Sequence, residues 1–174
     1  MLTRLNMKRL ALFVVIASIS VLGQSKAKAP APTLSETMQW LRGATDEESG
    51  DGHSHHEFEN KDGDSCYVSI TETRSAAGPD FWLRESFSLA DIDPTDIRVE
   101  RLGEGQLKTL LEGMSAVTFH TRNYAKKITH TSNSSSSTIP IAEYSLHTND
   151  YFAPRFAKAF KRAVELCGGK RSSF

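Results

Sequence analysis

A short histidine-rich stretch has the residue types and spacing that metal sites use. His53, His55, His56 and Glu57 follow a polar, glycine-containing segment over residues 44–52. On a β-strand, side chains two residues apart point to the same side, so His53, His55 and Glu57 would share one face. Imidazole nitrogens together with a carboxylate bind zinc, copper or nickel. The stretch therefore predicts a divalent transition-metal site, and a solvated polar strand is the alternative interpretation.

Three other histidines, His120, His130 and His147, lie on separate predicted strands. If the fold placed one of them beside a serine or a carboxylate, it could act as the general base of a hydrolase. The sequence contains no Gly-x-Ser-x-Gly, phosphate-binding loop, dinucleotide fingerprint or Cys-x-x-Cys. A cell-envelope hydrolase is therefore an alternative function for which no catalytic residue is predicted.

The two cysteines are predicted to form a disulfide. Cys66 shares the apolar face of a strand with Val68 and Ile70, and Cys167 ends the apolar face of the last helix. Both thiols would then face one core, and an oxidising compartment would join them. A Cys66–Cys167 bond closes a loop of about 100 residues, which the entropic description values at roughly 4–5 kcal/mol. Two buried free thiols are the alternative.

A short amphipathic helix is predicted over residues 33–43. Thr33 and Glu36 form a capping box, in which each side chain bonds the backbone N–H of the other residue. Apolar side chains then recur on one helical face, and Gly43 is predicted to end the helix. A helix of this length needs a surface to pack against.

The chain closes with its clearest helical pattern. Asn149 or Asp150 can cap the first turn, in which Pro154 is tolerated, and Gly168-Gly169 stops the helix. The apolar positions follow helical spacing and are Phe152, Phe156, Ala159, Phe160, Ala163, Leu166 and Cys167. This stripe predicts a helix that packs across a sheet.

The region between the helices is predicted to form an antiparallel sheet or roll of about six to seven strands. Asp62-Gly63 between two extended runs indicates a hairpin. Apolar residues alternate along the next strand, and Glu85 interrupts their face. The last strand is predicted over residues 138–148, with Pro140 placing its start at an edge or a bulge. These elements predict the α+β class, and their order resembles a pleckstrin-homology-like roll plugged by a C-terminal helix.

Residues 1–29 have the features of a secretory signal peptide. Basic residues precede an uncharged apolar run over residues 10–22, shorter than the roughly 18–20 residues that span a bilayer. Ala27-Lys28-Ala29 matches the small-x-small pattern of a cleavage site. Cleavage after Ala29 would leave residues 30–174 as a single globular domain, periplasmic or secreted, without a stable membrane span, and cleavage after Gly23 is the alternative. An uncleaved membrane anchor is the alternative.

The charge balance changes when that segment is removed. The whole chain has 21 basic and 21 acidic side chains, and residues 1–29 contain five basic residues and no acidic ones. Residues 30–174 therefore have 16 basic and 21 acidic side chains, a net charge of −5. This balance argues against general nucleic-acid binding, which needs an excess of lysine and arginine.

Three stretches of the chain carry a resemblance. They are Met38-Gln39-Trp40-Leu41, residues 86–100 (SFSLADIDPTDIRVE) and residues 159–170 (AFKRAVELCGGK). All three are similar to a group of small uncharacterised exported bacterial proteins, and the helix end Cys-Gly-Gly-Lys is the most specific feature. The resemblance implies an exported domain with an N-terminal helix, a middle sheet and a C-terminal helix. It implies no activity.

These features favour a non-enzymatic extracytoplasmic module that binds a small or apolar ligand, or another envelope protein. The compact predicted core and the lack of a catalytic motif motivate this expectation. No cofactor is predicted apart from the divalent metal considered above. A metal-binding protein that uses the histidine-rich strand and a cell-envelope hydrolase are the two alternatives.

Overall fold

A computed structural model describes residues 30–47, 54–60, 66–74, 81–102 and 113–170. Within these ranges the chain forms two helices and eight strands, which confirms the α+β class and exceeds the six to seven strands predicted. In chain order they are α1 (Leu34–Glu47), β1 (Ser54–Asn60), β2 (Tyr67–Arg74), β3 (Trp82–Ser88), β4 (Ile92–Arg101), β5 (Met114–Thr121), β6 (Ile128–Ser132), β7 (Ser135–Ile141), β8 (Glu143–Asn149) and α2 (Phe152–Leu166).

The strands form two antiparallel sheets. The larger sheet has the order β1-β2-β3-β6-β7, and the smaller has the order β4-β5-β8. Helix α2 packs on the smaller sheet, and α1 packs against α2 and β1. The C-terminal helix therefore lies against a sheet, as its apolar stripe predicts.

Three phenylalanines join the layers at the centre of the core. Phe87 of the larger sheet lies 5.3 Å from Phe119 of the smaller sheet, measured between ring centroids. Phe119 in turn lies 4.6 Å from Phe160 of α2. All three side chains are fully buried. Because aromatic rings bury a large apolar area, this contact supplies much of the packing between the layers.

Helix α1 begins as predicted and continues past its predicted end. The Thr33 N–H donates to Glu36 Oε2 at 2.7 Å, and the Glu36 N–H donates to Thr33 Oγ1 at 3.3 Å, which confirms the capping box. The helix does not stop at Gly43 but runs to Glu47. Thr45 is buried, and its hydroxyl donates to the carbonyl of Leu41. The packing of this last turn outweighs the roughly 1 kcal/mol that a glycine costs inside a helix.

Helix α2 has the predicted boundaries. The Asn149 side-chain oxygen accepts the N–H of Phe152 at 2.7 Å and so caps the first turn. At the other end Gly168 has a φ of 81°, and the Gly169 N–H donates to the Val164 carbonyl at 2.8 Å. This left-handed ending is typical of glycine after a helix.

The predicted disulfide between Cys66 and Cys167 is present, with the two Cα atoms 5.7 Å apart. Cys167 directly follows α2, and Cys66 directly precedes β2 of the larger sheet. The bond therefore ties the C-terminal end of the helix to the sheet on which it does not lie.

The single strand predicted over residues 138–148 is two strands in the structure. The chain leaves the larger sheet after β7, passes through Ala142 and enters the smaller sheet as β8. The N–H of Thr121 holds this crossing point by donating to the Ala142 carbonyl at 2.8 Å. Strand β7 is an edge strand in the described part of the larger sheet, which agrees with the placement of Pro140.

Candidate functional site

A groove of about 740 Å³ lies between α1, α2 and the residues that lead into α1. Its lining is largely apolar, and residues of both helices contribute: Ala31, Pro32, Glu36, Thr37, Trp40, Arg155, Lys158, Ala159, Lys161, Arg162 and Glu165. Binding sites for single small molecules typically occupy about 300–1,000 Å³ and are mostly apolar. The groove therefore has the size and the surface of a small-molecule site.

The indole of Trp40 supplies the aromatic surface of the groove. Its ring stacks on Phe152 of α2, with 6.1 Å between centroids and 16° between ring planes. Phe152 is buried, whereas Trp40 is half-buried and leaves part of its ring in the groove. Because the ring is held from behind by a core residue, it offers a ligand a fixed aromatic surface.

Arg155 lies between two aromatic rings at one end of the groove. Its guanidinium carbon is 5.7 Å from the centroid of Trp40 and 5.2 Å from that of Tyr151. Tyr151 is 74% exposed, so this cation–π pair is open to solvent. The two rings fix the position of the guanidinium without neutralising its charge.

Arg162 lies at the other end of the groove and has few partners. One of its terminal nitrogens is 3.5 Å from the Pro32 carbonyl oxygen, at the long limit for a hydrogen bond. Its Nε is buried and has no hydrogen-bond partner within the described ranges. A guanidinium has five N–H donors, so Arg162 keeps most of its donor capacity for another acceptor.

The groove carries an excess of unpaired positive charge. Arg155, Lys158, Lys161 and Arg162 line it, against Glu36 and Glu165. Among the described residues, no carboxylate lies within ion-pair distance of any of these four cations.

Glu36 already serves as the cap of α1. Its bond from the Thr33 backbone N–H, followed by the bond from the Thr33 hydroxyl, lowers the pKa of its carboxyl. The groove thus combines an apolar surface with cations that can bind an anionic group.

The histidine-rich stretch is divided between two faces of β1. His55 and Glu57 are exposed, whereas His56 is buried on the opposite face, across from Glu72 of β2. His53 lies outside the described residues, so the predicted metal set stays a prediction. Within the described ranges, no group of three or more His, Cys, Asp or Glu side chains could hold a metal ion.

His120 lies between two carboxylates at one end of the smaller sheet. Its Nε2 is 2.7 Å from Glu143 Oε2, and its Nδ1 is 3.1 Å from Asp96 Oδ2 without the geometry of a hydrogen bond. Tyr124 donates to the same Asp96 oxygen at 3.2 Å, and the charge of Asp96 raises the pKa of that phenol. Arg98 pairs with the other Asp96 oxygen.

His130 meets a buried carboxylate, and His147 is exposed. His130 Nδ1 lies 2.7 Å from Glu85 Oε1, and the Glu85 side chain is 3% exposed. Two of the three histidines considered for a hydrolase therefore meet carboxylates, but on different sheets. Neither His120 nor His130 is hydrogen-bonded to a serine hydroxyl in the described part of the chain, so a serine–histidine pair is not formed there.

The groove and the Glu85–His130 pair were not predicted from the sequence. The sequence places Trp40 and Arg155 on predicted helices but does not indicate that they touch, because their contact depends on how two helices distant in the sequence pack. Glu85 did leave a signal, since it interrupts an alternation of apolar residues. An acidic residue at such a position predicts a buried partner, although the pattern cannot say which residue supplies it.

Comparisons with protein-family models, with curated proteins and with solved structures find no match for this chain. The similarity to small exported bacterial proteins therefore stays a prediction from the residues that carry it. Within the described ranges, neither helix is long and apolar enough to cross a membrane. The disulfide is compatible with an oxidising compartment outside the cytoplasm.

Proposed function

We propose that the protein is an extracytoplasmic binding module whose groove between α1 and α2 takes a small apolar ligand that carries an anionic group. One observation carries this proposal. Four cations that have no carboxylate partner among the described residues line a largely apolar groove that contains Trp40. The apolar part of a ligand would lie on the indole, and its anionic group would bind the guanidinium and ammonium groups at the rim.

The charge distribution favours an anionic ligand over a neutral one. Residues 30–174 carry a net charge of −5, yet the groove lining has four basic and two acidic residues. Exposed charges of one sign attract ligands of the other sign and raise their local concentration. The volume of the groove, about 740 Å³, lies within the range of small-molecule sites and so favours a small ligand over an extended protein interface.

The proposed location outside the cytoplasm has two supports. The Cys66–Cys167 disulfide needs an oxidising compartment to persist. Residues 1–29 have the sequence features of a cleavable secretory signal. The compartment can be checked by fractionating cells that express the full chain and measuring the mass of the exported product.

Binding of dodecanoate, compared with uncharged dodecanol, tests the ligand class. Dodecanoate should shift the Trp40 fluorescence emission to shorter wavelength in a Trp82→Phe background, in which Trp40 is the remaining tryptophan, because the alkyl chain replaces water on the indole. Replacing Lys158 and Arg162 by glutamine should weaken dodecanoate binding by roughly fivefold, because exposed charge contacts contribute up to about 1 kcal/mol. Binding of dodecanol should not change in that variant.

A matched pair of cations away from the groove provides the control. Arg122 and Lys126 do not line the groove, so replacing both by glutamine changes the net charge equally and should leave dodecanoate binding intact. Equal affinities for dodecanoate and dodecanol would contradict the role of the cations. Binding that survives Trp40→Ala would place the ligand elsewhere, and no binding of either compound would favour a protein partner.

A further inference from the structure

The inner face of the larger sheet carries a buried acid. Glu85 alternates with Phe87 along β3, so both side chains point toward the core. Phe87 is fully buried, and Glu85 is 2% exposed as a whole residue. A carboxylate removed from water is unfavourable unless it is paired or protonated. Glu85 therefore has to be stabilised by its immediate neighbours.

The two oxygens of the Glu85 carboxyl differ in their hydrogen bonding. Glu85 Oε1 lies 2.7 Å from His130 Nδ1, and this distance requires a proton between two atoms that are otherwise both acceptors. Glu85 Oε2 is buried and has no hydrogen-bond partner among the described residues. The register places Glu85 directly opposite His130, so the bond links β3 to β6.

Titratable groups of β1, β2 and β8 contribute to the surroundings of the pair. Glu72 and Arg74 of β2 act on Glu85 with opposite signs, and they pair with each other at 2.5 Å. His56 of β1 lies opposite Glu72 in the register. Tyr144 of β8 is buried on the facing sheet, and its hydroxyl has no hydrogen-bond partner in the part of the chain that the structure describes. Burial, then the charge of Glu85, raises the pKa of this phenol well above its ordinary value.

We propose that Glu85 and His130 form a proton-binding site: in the folded protein the pair holds more protons than the same two groups hold in the unfolded chain, and loss of the additional proton leaves a buried carboxylate with one unpaired oxygen that loosens β6 from β3. This site is independent of the groove between the helices. It would make the larger sheet less stable as the buried carboxyl loses its proton.

The direction follows from proton linkage. Burial raises the pKa of the Glu85 carboxyl above the ordinary glutamate value, and the bond to His130 opposes this without cancelling it. A carboxyl with a raised folded pKa contributes its full stability below the ordinary value. That stability is lost as pH rises through the folded pKa. Within this window the ratio of folded to unfolded protein should fall by up to about tenfold per pH unit.

Two measurements on the disulfide-bonded protein test the proton site. The carboxyl carbon of Glu85, followed by NMR, should titrate above the ordinary glutamate value. In denaturant unfolding, the Glu85→Gln variant should lose the decline in stability that Glu85 causes as pH rises above the ordinary glutamate value, because glutamine has the same shape and no titrating proton. Glu143→Gln provides the matched control, since it removes an exposed carboxylate that is also bonded to a histidine, His120, and should keep the wild-type profile.

Hydrogen exchange tests the link to the strand. The amide protection factors of β6 should fall with rising pH relative to those of β5, and Glu85→Gln should abolish that difference. Titration of Glu85 at or below the ordinary value, or parallel unfolding profiles for Glu85→Gln and wild type, would overturn the proton site. Equal changes in β5 and β6 protection would overturn its role in holding β6. The NMR titration uses the wild-type protein, so it tests the proposal even if Glu85→Gln folds poorly.

Discussion

The groove between the helices and the Glu85–His130 pair of the larger sheet differ in where their charged groups lie. In the groove, cations such as Lys158 are exposed and have no carboxylate partner among the described residues. In the sheet, the carboxylate of Glu85 is buried and bonded to His130. Exposed charges stay hydrated, so they add little to the free energy of folding and remain available to a ligand. A buried charge loses its hydration and therefore affects the stability of the fold. The comparison separates a surface suited to binding from an interior pair suited to controlling stability.

The largest expected effect comes from removing the Cys66–Cys167 disulfide, which ties α2 of the groove to the larger sheet that contains Glu85 and His130. Replacing Cys66 and Cys167 together by serine should lower the free energy of unfolding by about 4 kcal/mol, because the open chain gains the entropy of a long loop. Denaturant unfolding at one pH measures this loss. Wild-type protein under reducing conditions should match the double variant, and a loss below about 1 kcal/mol would show that packing alone holds α2.

A pair of alanine variants can break the comparison directly. His130→Ala should lower the free energy of unfolding by about 1–3 kcal/mol, because it leaves Glu85 buried without its partner. Lys158→Ala should change it by less than about 0.5 kcal/mol. The order should reverse in a dodecanoate titration, in which Lys158→Ala weakens binding and His130→Ala does not. A similar stability loss in both variants would remove the distinction between the two regions.

The smallest effect concerns Glu36, the groove carboxylate whose pKa moves in the opposite direction from that of Glu85. Bonds from Thr33 lower the pKa of the Glu36 carboxyl, so the capping box stabilises the fold above the ordinary glutamate value. That stability is lost as pH falls through the folded pKa. Thr33→Ala should therefore destabilise the protein at neutral pH and by less in acid, as measured by unfolding across that range. A constant effect of Thr33→Ala at all pH values would contradict the cap.

The sequence was sufficient for features that depend on neighbouring residues. The capping box at Thr33 and Glu36 and the glycine ending of α2 are set within a few positions of the chain. The Cys66–Cys167 pair could be predicted across 101 residues because the chain contains only these two cysteines, and both lie on apolar faces.

Features that depend on the three-dimensional arrangement could not be predicted. Residues 138–148 have no strong break in their extended pattern, so the change of sheet at Ala142 is visible only in the structure. Trp40 and Arg155 come from helices that are far apart in the sequence, and no local sequence pattern indicates their contact. Glu85 could be recognised as an exception on an apolar face, but its partner His130 lies 45 residues away.

The order of the strands also has a consequence for how the chain acquires its fold. Strand β3 pairs with β6, and α1 packs against α2. Helix α1 is therefore synthesised long before the helix on which it packs. A chain that emerges N-terminus first, from a ribosome or a translocation pore, exposes the apolar face of α1 until α2 arrives. Pairing of such distant segments slows folding, because long loops must close before their contacts form. The topology therefore favours folding after α2 has been synthesised, and a chaperone could bind the exposed apolar residues of α1 until then.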